Sequence, residues 1–157
     1  MKAIGYTRVS TDEQADNGVS LDAQADRIEA YCRAKDWVSA EILSDPGYSG
    51  KDLKRPSISR VISLCHHWKV DVVVPAKLDR LTRHVADLGY LTRDVFGKNN
   101  VALASVQESI DATTAAGQLM LNILGSVAQW ERDIISERPR EALAYKRRNG
   151  KRVGAVP

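Results

Sequence analysis

Two short runs carry the residue types that chemistry on a phosphate requires. Arg8-Val9-Ser10-Thr11-Asp12-Glu13-Gln14 places a hydroxyl two residues after an arginine. Lys77-Leu78-Asp79-Arg80-Leu81-Thr82-Arg83 supplies a carboxylate and two further arginines. Arg80 and Arg83 are spaced i, i+3, so they share a face if that segment is helical. Guanidinium forks match phosphate oxygens and stabilise the charge that builds up during phosphoryl transfer. A serine ringed by arginines, with no base nearby in sequence, suits attack on a phosphodiester better than attack on an amide. The plain alternative is a pair of surface loops with ordinary salt bridges, and these residues alone leave it open.

The elements that must position these runs follow from periodicity. Lys2 to Arg8 alternates as a strand, and the polar stretch Ser10 to Ser20 reads as a loop. Ser20 is a candidate N-cap for a helix with Leu21, Ala25, Ile28 and Cys32 at helical spacing. Trp37 to Leu43 predicts a second strand, closed by the turn signal Asp45-Pro46-Gly47. Ser57 to Trp68 carries Ile58, Val61, Ile62 and Cys65, an amphipathic helix. Asp71 to Pro75 is a short β-branched run and reads as a buried central strand. Asp87 to Lys98 predicts a helix and Val101 to Val106 a fourth strand. Strands alternating with helices imply an α/β fold, a mostly parallel four- to five-stranded sheet with helices on both faces. In such sheets ligands sit beyond the carboxyl ends of the strands, where both arginine-bearing runs fall.

From Gly117 the pattern changes. Leu119 to Ile135 is a long helix with apolar residues on more than one side, a pattern that serves either a buried core helix or one packed on a partner as well. Pro139 either stops this helix near Arg138 or kinks it before Glu141 to Arg148. Arg138, Arg140, Lys146, Arg147, Arg148, Lys151 and Arg152 face only Glu141 in acidic charge. That tail can neutralise phosphates, although a solvated helix end is the simpler reading.

Other chemistries fit less well. Gly5 stands alone, without a phosphate-cradling glycine loop after any strand. His66 and His67 diverge by roughly 100° around a helix and His84 stands apart, so no chelating face forms. No apolar run approaches the ~20 residues that span a membrane. No signal peptide precedes Cys32 and Cys65, which read as core residues of a reducing, cytoplasmic protein.

Taken together the motifs resemble the resolvase/invertase family of serine site-specific recombinases. Gly5-Tyr6-Thr7-Arg8-Val9-Ser10-Thr11 looks like that family's nucleophile motif, with Gln14 and then Ser20-Leu21-Asp22-Ala23-Gln24 following. Gly47-Tyr48-Ser49-Gly50 with Arg55-Pro56, Lys77 to Arg83, and Gly117 to Arg138 with its Glu131-Arg132 pair match further blocks in the same order. The resemblance implies that Ser10 forms a phosphoserine link to a DNA 5′ end. It implies that Arg8, Arg80 and Arg83 hold the scissile phosphate and that Asp79 aids proton transfer to the leaving 3′ oxygen. Arg55, Gln14 and Gln24 match supporting positions. No metal or nucleotide cofactor is implied, because the bond energy stays in the phosphoserine. The implied partners are double-stranded DNA and copies of the same chain, a homodimer through the 117–138 helix and a tetramer in the synaptic complex. The expected layout is a catalytic core over 1–116, the dimerisation helix over 117–138 and a basic segment over 139–157 leading to a DNA-reading domain that the chain lacks. The alternative function is a catalytically inactive DNA-binding regulator of the same fold, which the joint presence of Ser10, Arg8, Asp79, Arg80 and Arg83 disfavours.

Overall fold

A computed structural model describes residues 1–15, 20–67 and 69–148. Five strands form one sheet in the order β2-β1-β3-β4-β5. They are β1 (Lys2–Ser10), β2 (Val38–Gly47), β3 (Val72–Pro75), β4 (Ala102–Ser105) and β5 (Ile110–Asp111). β1 pairs in parallel with β2 and β3, and β3 with β4, while β5 returns antiparallel along β4. β1 and β3 are buried along almost their whole length, as strands covered on both faces must be.

Two apolar clusters line the two faces. Ile28 and Cys32 of α2 (Leu21–Ala34) pack with Ala3, Val72 and Val74 on one side. Ile58, Val61 and Cys65 of α3 (Pro56–His66) join Tyr6, Val73, Leu91, Val95, Phe96 and Leu103 on the other. Gly5 lets α2 approach closely: a Cβ there would lie 2.9 Å from both Ile28 Cγ2 and Ile42 Cγ1. The Ser20 hydroxyl accepts the Ala23 amide at 3.1 Å and caps α2 as its sequence predicts. Burial pushes the Cys65 thiol up to about 12, consistent with a core residue.

Several expectations need correction. Thr11–Ala15 is not loop but a short helix, α1, capped by Ser10 and Glu13. Asp45-Pro46-Gly47 does not turn: β2 continues to Gly47, pairing Arg8, Val9 and Ser10 with Asp45, Pro46 and Gly47. β2 is an edge strand, where a proline's missing N–H is tolerated. The buried Asp45 carboxylate instead accepts Tyr6 Oη at 2.7 Å and the Ser57 and Ile58 amides at 2.9 and 3.1 Å, tying the strand to the start of α3. The helix expected over Asp87 to Lys98 begins as α5 (Val85–Tyr90), passes into a π turn over Leu91–Phe96 and ends as a 3₁₀ turn over Gly97–Asn99. Within it the Thr92 hydroxyl bonds back to the Leu88 and Gly89 carbonyls, a competition that disturbs the regular ladder. β5 is only two residues long, too short to leave a periodicity.

The last helix, α6, runs over Ala115–Arg148, so the backbone stays helical through Pro139. Leu121 is buried and Leu124 packs on the core, whereas Leu119, Met120, Ile123, Val127, Trp130 and Ile135 are exposed. No helix among the described residues is long and apolar enough to cross a membrane.

Candidate active site

β1 ends at Ser10, and β3, its neighbour, ends at Pro75 opposite Tyr6. The chain leaving β3 forms the four-residue helix α4 (Leu78–Leu81), which carries Asp79 and Arg80, with Arg83 just beyond. Both runs therefore meet at one end of the sheet. Ser10 is half-buried, and its hydroxyl donates to Glu13 Oε2 at 3.0 Å. The expectation that no base stands near Ser10 is thus wrong: Glu13 lies one helical turn on and is bonded to it. The motif Ser-x-x-Glu, a capping box, was the available signal.

The arginines divide by exposure. The Arg8 side chain is 0% exposed and is held by backbone: Nε donates to Arg80 O at 3.2 Å, Nη1 to Tyr48 O at 2.9 Å and Nη2 to Asp79 O at 3.2 Å. Burial first, then the neighbouring Arg80 charge, pull its guanidinium below the ordinary value, with Glu13 opposing. Arg80 donates from Nη1 to Arg8 O at 3.1 Å and to Glu13 Oε1 at 2.9 Å, and it pairs through Nε with Asp79 Oδ1 at 3.0 Å. Arg83, 45% exposed, reaches Glu13 Oε1 at 3.1 Å. Burial raises the Glu13 carboxyl, but the Ser10 amide, Arg80 and the Ser10 hydroxyl outweigh it and hold Glu13 at about 2.

The remaining candidates take different places. Arg55 is buried under α4, donating to the carbonyls of Arg80 (3.1 Å) and Leu81 and lying over the Tyr6 ring. Gln24 clasps the Arg8 backbone, accepting its amide at 3.2 Å and donating to its carbonyl at 3.1 Å. Asp79 has Arg80 and Lys77 as its described partners, the latter at 3.3 Å. Gln14 stands in α1, but its side chain lies outside what the structure describes. Arg138, Arg140, Lys146, Arg147 and Arg148 follow one another on α6 with side chains likewise outside, and Lys151 and Arg152 fall outside the described residues altogether.

Sequence reasoning gave no role to Tyr48 or Gly50, both of which border the cluster. The Tyr48 carbonyl anchors Arg8, and the Gly50 carbonyl accepts the Arg83 amide at 2.9 Å. A Cβ on Gly50 would meet Arg83 Cγ at 3.0 Å and Arg8 Nη2 at 3.2 Å, so the guanidinium cluster needs this close backbone. The matched block Gly47 to Gly50 was the signal.

A doubly covered parallel sheet that gathers a serine and three arginines at its carboxyl end defines the catalytic domain of a serine recombinase, a DNA strand-exchange enzyme. The family model "Resolvase, N terminal domain" matches residues 3–152, and the chain belongs to that family. The Tn917 transposon resolvase of Enterococcus faecalis is 33% identical over 151 residues, which are 96% of this chain and 74% of that protein. The Tn552 transposon resolvase of Staphylococcus aureus is 35% identical over 156 residues, 98% of this chain and 71% of that one. Among solved structures, the N-terminal catalytic domain of TP901-1 integrase superposes with a TM-score of 0.77 at 40% identity, covering 85% of this chain and 98% of its own. A resolvase family site-specific recombinase from Streptococcus pneumoniae gives a TM-score of 0.73 at 31% identity, covering 94% and 99%.

Proposed function

We propose that Ser10 cleaves and rejoins DNA through a covalent 5′-phosphoserine during site-specific recombination. The observation that carries this reading is the convergence of Ser10, Arg80 and Arg83 on one anion, the Glu13 carboxylate. Donors that hold a carboxylate there have the charge and fork geometry to hold a phosphodiester. In the cleavage step Ser10 Oγ forms a bond to phosphorus as the P–O3′ bond breaks; the serine proton passes to solvent and the 3′ oxygen gains one. Asp79, paired to Arg80, is the carboxylate that aids this proton transfer, relaying a proton from solvent to the 3′ oxygen. The reverse attack by a 3′ hydroxyl on the phosphoserine restores the backbone, and no external energy source enters. Arg80 and Arg83 stabilise the charge on the non-bridging oxygens. Arg8, Arg55 and Gln24 keep those two in place.

The DNA partner is double-stranded. The core over 1–116 carries the chemistry, and the exposed apolar side chains of α6 within 117–138 join two copies, with a tetramer in the synaptic complex. The basic residues over 139–157 supply phosphate contacts that give position and affinity without sequence discrimination. The test is covalent trapping on a nicked suicide duplex. Wild-type protein should give a protein–DNA adduct whose point of attachment maps to Ser10, and Ser10→Ala should give none. A normal adduct yield from Ser10→Ala would remove the mechanism. No adduct from either protein, with duplex binding retained, would favour an inactive DNA-binding regulator.

A further inference from the structure

Glu13 lies in the first sequence run but has no part in the chemistry above. Its Oε2 accepts the Ser10 amide at 2.8 Å, and its own amide faces Ser10 Oγ at 3.4 Å. That reciprocal pair is a capping box and by itself would account for a glutamate three residues after a capping serine. The other contacts go further than a cap requires. Oε1 accepts from Arg80 Nη1 at 2.9 Å and from Arg83 Nη2 at 3.1 Å. Oε2 accepts from the Ser10 hydroxyl at 3.0 Å and lies 3.6 Å from Arg8 Nη1. One carboxylate thus gathers the nucleophile and the three arginines around it.

A scissile phosphate needs the same donors in the same place. Two anions cannot occupy that one place, since like charges at such range repel. We propose that Glu13 is a positioning residue that stands in for the scissile phosphate: it keeps Ser10, Arg80 and Arg83 gathered while the site is empty and leaves when a phosphodiester enters. The inference rests on reading Arg80 and Arg83 as the phosphate grip. The Glu13 side chain is 31% exposed, so it has solvent to swing into without unfolding the core. Its departure also frees the Ser10 hydroxyl, whose hydrogen it holds.

Such a stand-in weakens the apparent affinity for any oxyanion by the fraction of time the cradle is vacant. Occupancy of about nine-tenths corresponds to about a tenfold loss. Glu13→Gln separates this from capping, because glutamine at that position preserves the capping box but carries no charge. The experiment titrates inorganic sulfate into the wild type, E13Q and R80A chains, following arginine Nε and Ser10 amide signals by NMR. E13Q is expected to bind sulfate about tenfold more tightly than wild type. Its adduct formation on nicked duplex should gain at low DNA concentration and change little at saturation. Equal or weaker sulfate binding by E13Q, or no binding at all, would overturn the inference. So would loss of adduct at saturating DNA with unchanged sulfate affinity, which would make Glu13 the proton acceptor of Ser10. If R80A still binds sulfate as wild type does, the arginine reading itself fails; if only the E13Q gain is missing, that reading stands without this one.

Discussion

If Arg8 supports the site while Arg83 faces the DNA, replacing each by methionine should separate folding from chemistry. Methionine keeps much of the aliphatic stem and removes the guanidinium. In Arg8→Met the carbonyls of Tyr48 and Asp79 lose their donors, while that of Arg80 keeps Arg55 Nη1. Orphaning a buried acceptor costs about 1–3 kcal/mol, so these two part-buried carbonyls together cost at most about 2–6 kcal/mol. Removing a fully buried cation that Arg80 and Arg55 repel returns part of this, which leaves about 2–4 kcal/mol. For a chain of this size that lowers the melting temperature by roughly 5–15 °C. Arg83 is 45% exposed, so Arg83→Met should stay within about 0.5 kcal/mol of wild type. Its adduct formation should nonetheless fall ~100-fold or more, the usual cost of losing one preorganised donor to a developing oxyanion. Circular-dichroism melts and suicide-substrate trapping of both variants decide the matter. An Arg8→Met protein that melts with wild type would show that those three backbone bonds hold nothing.

Three further outcomes follow from single contacts. Glu13 is held at about 2 in the folded state against an ordinary 4.5, so its contribution is complete above about 4.5 and is lost as pH falls through about 2. The stability advantage of wild type over E13Q in urea should therefore shrink between pH 5 and pH 2, and a constant difference would contradict the arginine contacts. A Cβ on Gly117 would lie 1.9 Å from Asp111 O, so Gly117→Ala should cost about 3 kcal/mol in urea unfolding; an unchanged midpoint would mean the turn into α6 yields freely. Ile123→Glu, on the exposed apolar stripe of α6, should shift sedimentation from dimer toward monomer, and a monomeric wild type would show that this stripe joins no second copy.

How far the sequence alone reaches can be judged from particular elements. β1, β3 and α2 were readable because each carries a pattern: alternation for β1, a continuous β-branched run for β3, and a serine cap with i, i+4, i+7 spacing for α2. Asp45-Pro46-Gly47 misled because turn statistics take no account of an edge position, where β2 accommodates Pro46 and uses Asp45 as a buried acceptor. α1 was missed because five residues carry no periodicity; only the Ser10–Glu13 spacing marks it. The candidates Ser10, Arg8, Arg80 and Arg83, which the fold brings together, stood out in the sequence by type and order. Whether a given arginine faces solvent or a backbone carbonyl depends on contacts between residues 40 to 72 positions apart, such as Arg8 with Tyr48 and Arg80, and no local pattern records those.

Those long-range contacts also account for the two arginines, Arg8 and Arg55, that are buried at the candidate site. α4 is a single turn with no side-chain cap, too short to be stable by its own hydrogen bonds. Yet it must hold Arg80 in position, with Arg83 just beyond it. Its three carbonyls at Asp79, Arg80 and Leu81 accept from Arg8 and Arg55, and the Arg80 carbonyl receives a donor from each. Two buried cations thus do for α4 what a sheet ladder does for β3. Burying them is unfavourable in itself, and apolar side chains would fill the space at less cost, but they could not donate to inward-facing carbonyls. The Gln24 amide does the same for the Arg8 backbone at the end of β1. Ser10, Arg80 and Arg83 are therefore placed by a polar network that joins the ends of β1 and β3. A substitution in Arg55 or Gln24 should reach the chemistry through that network without either of them touching the phosphate.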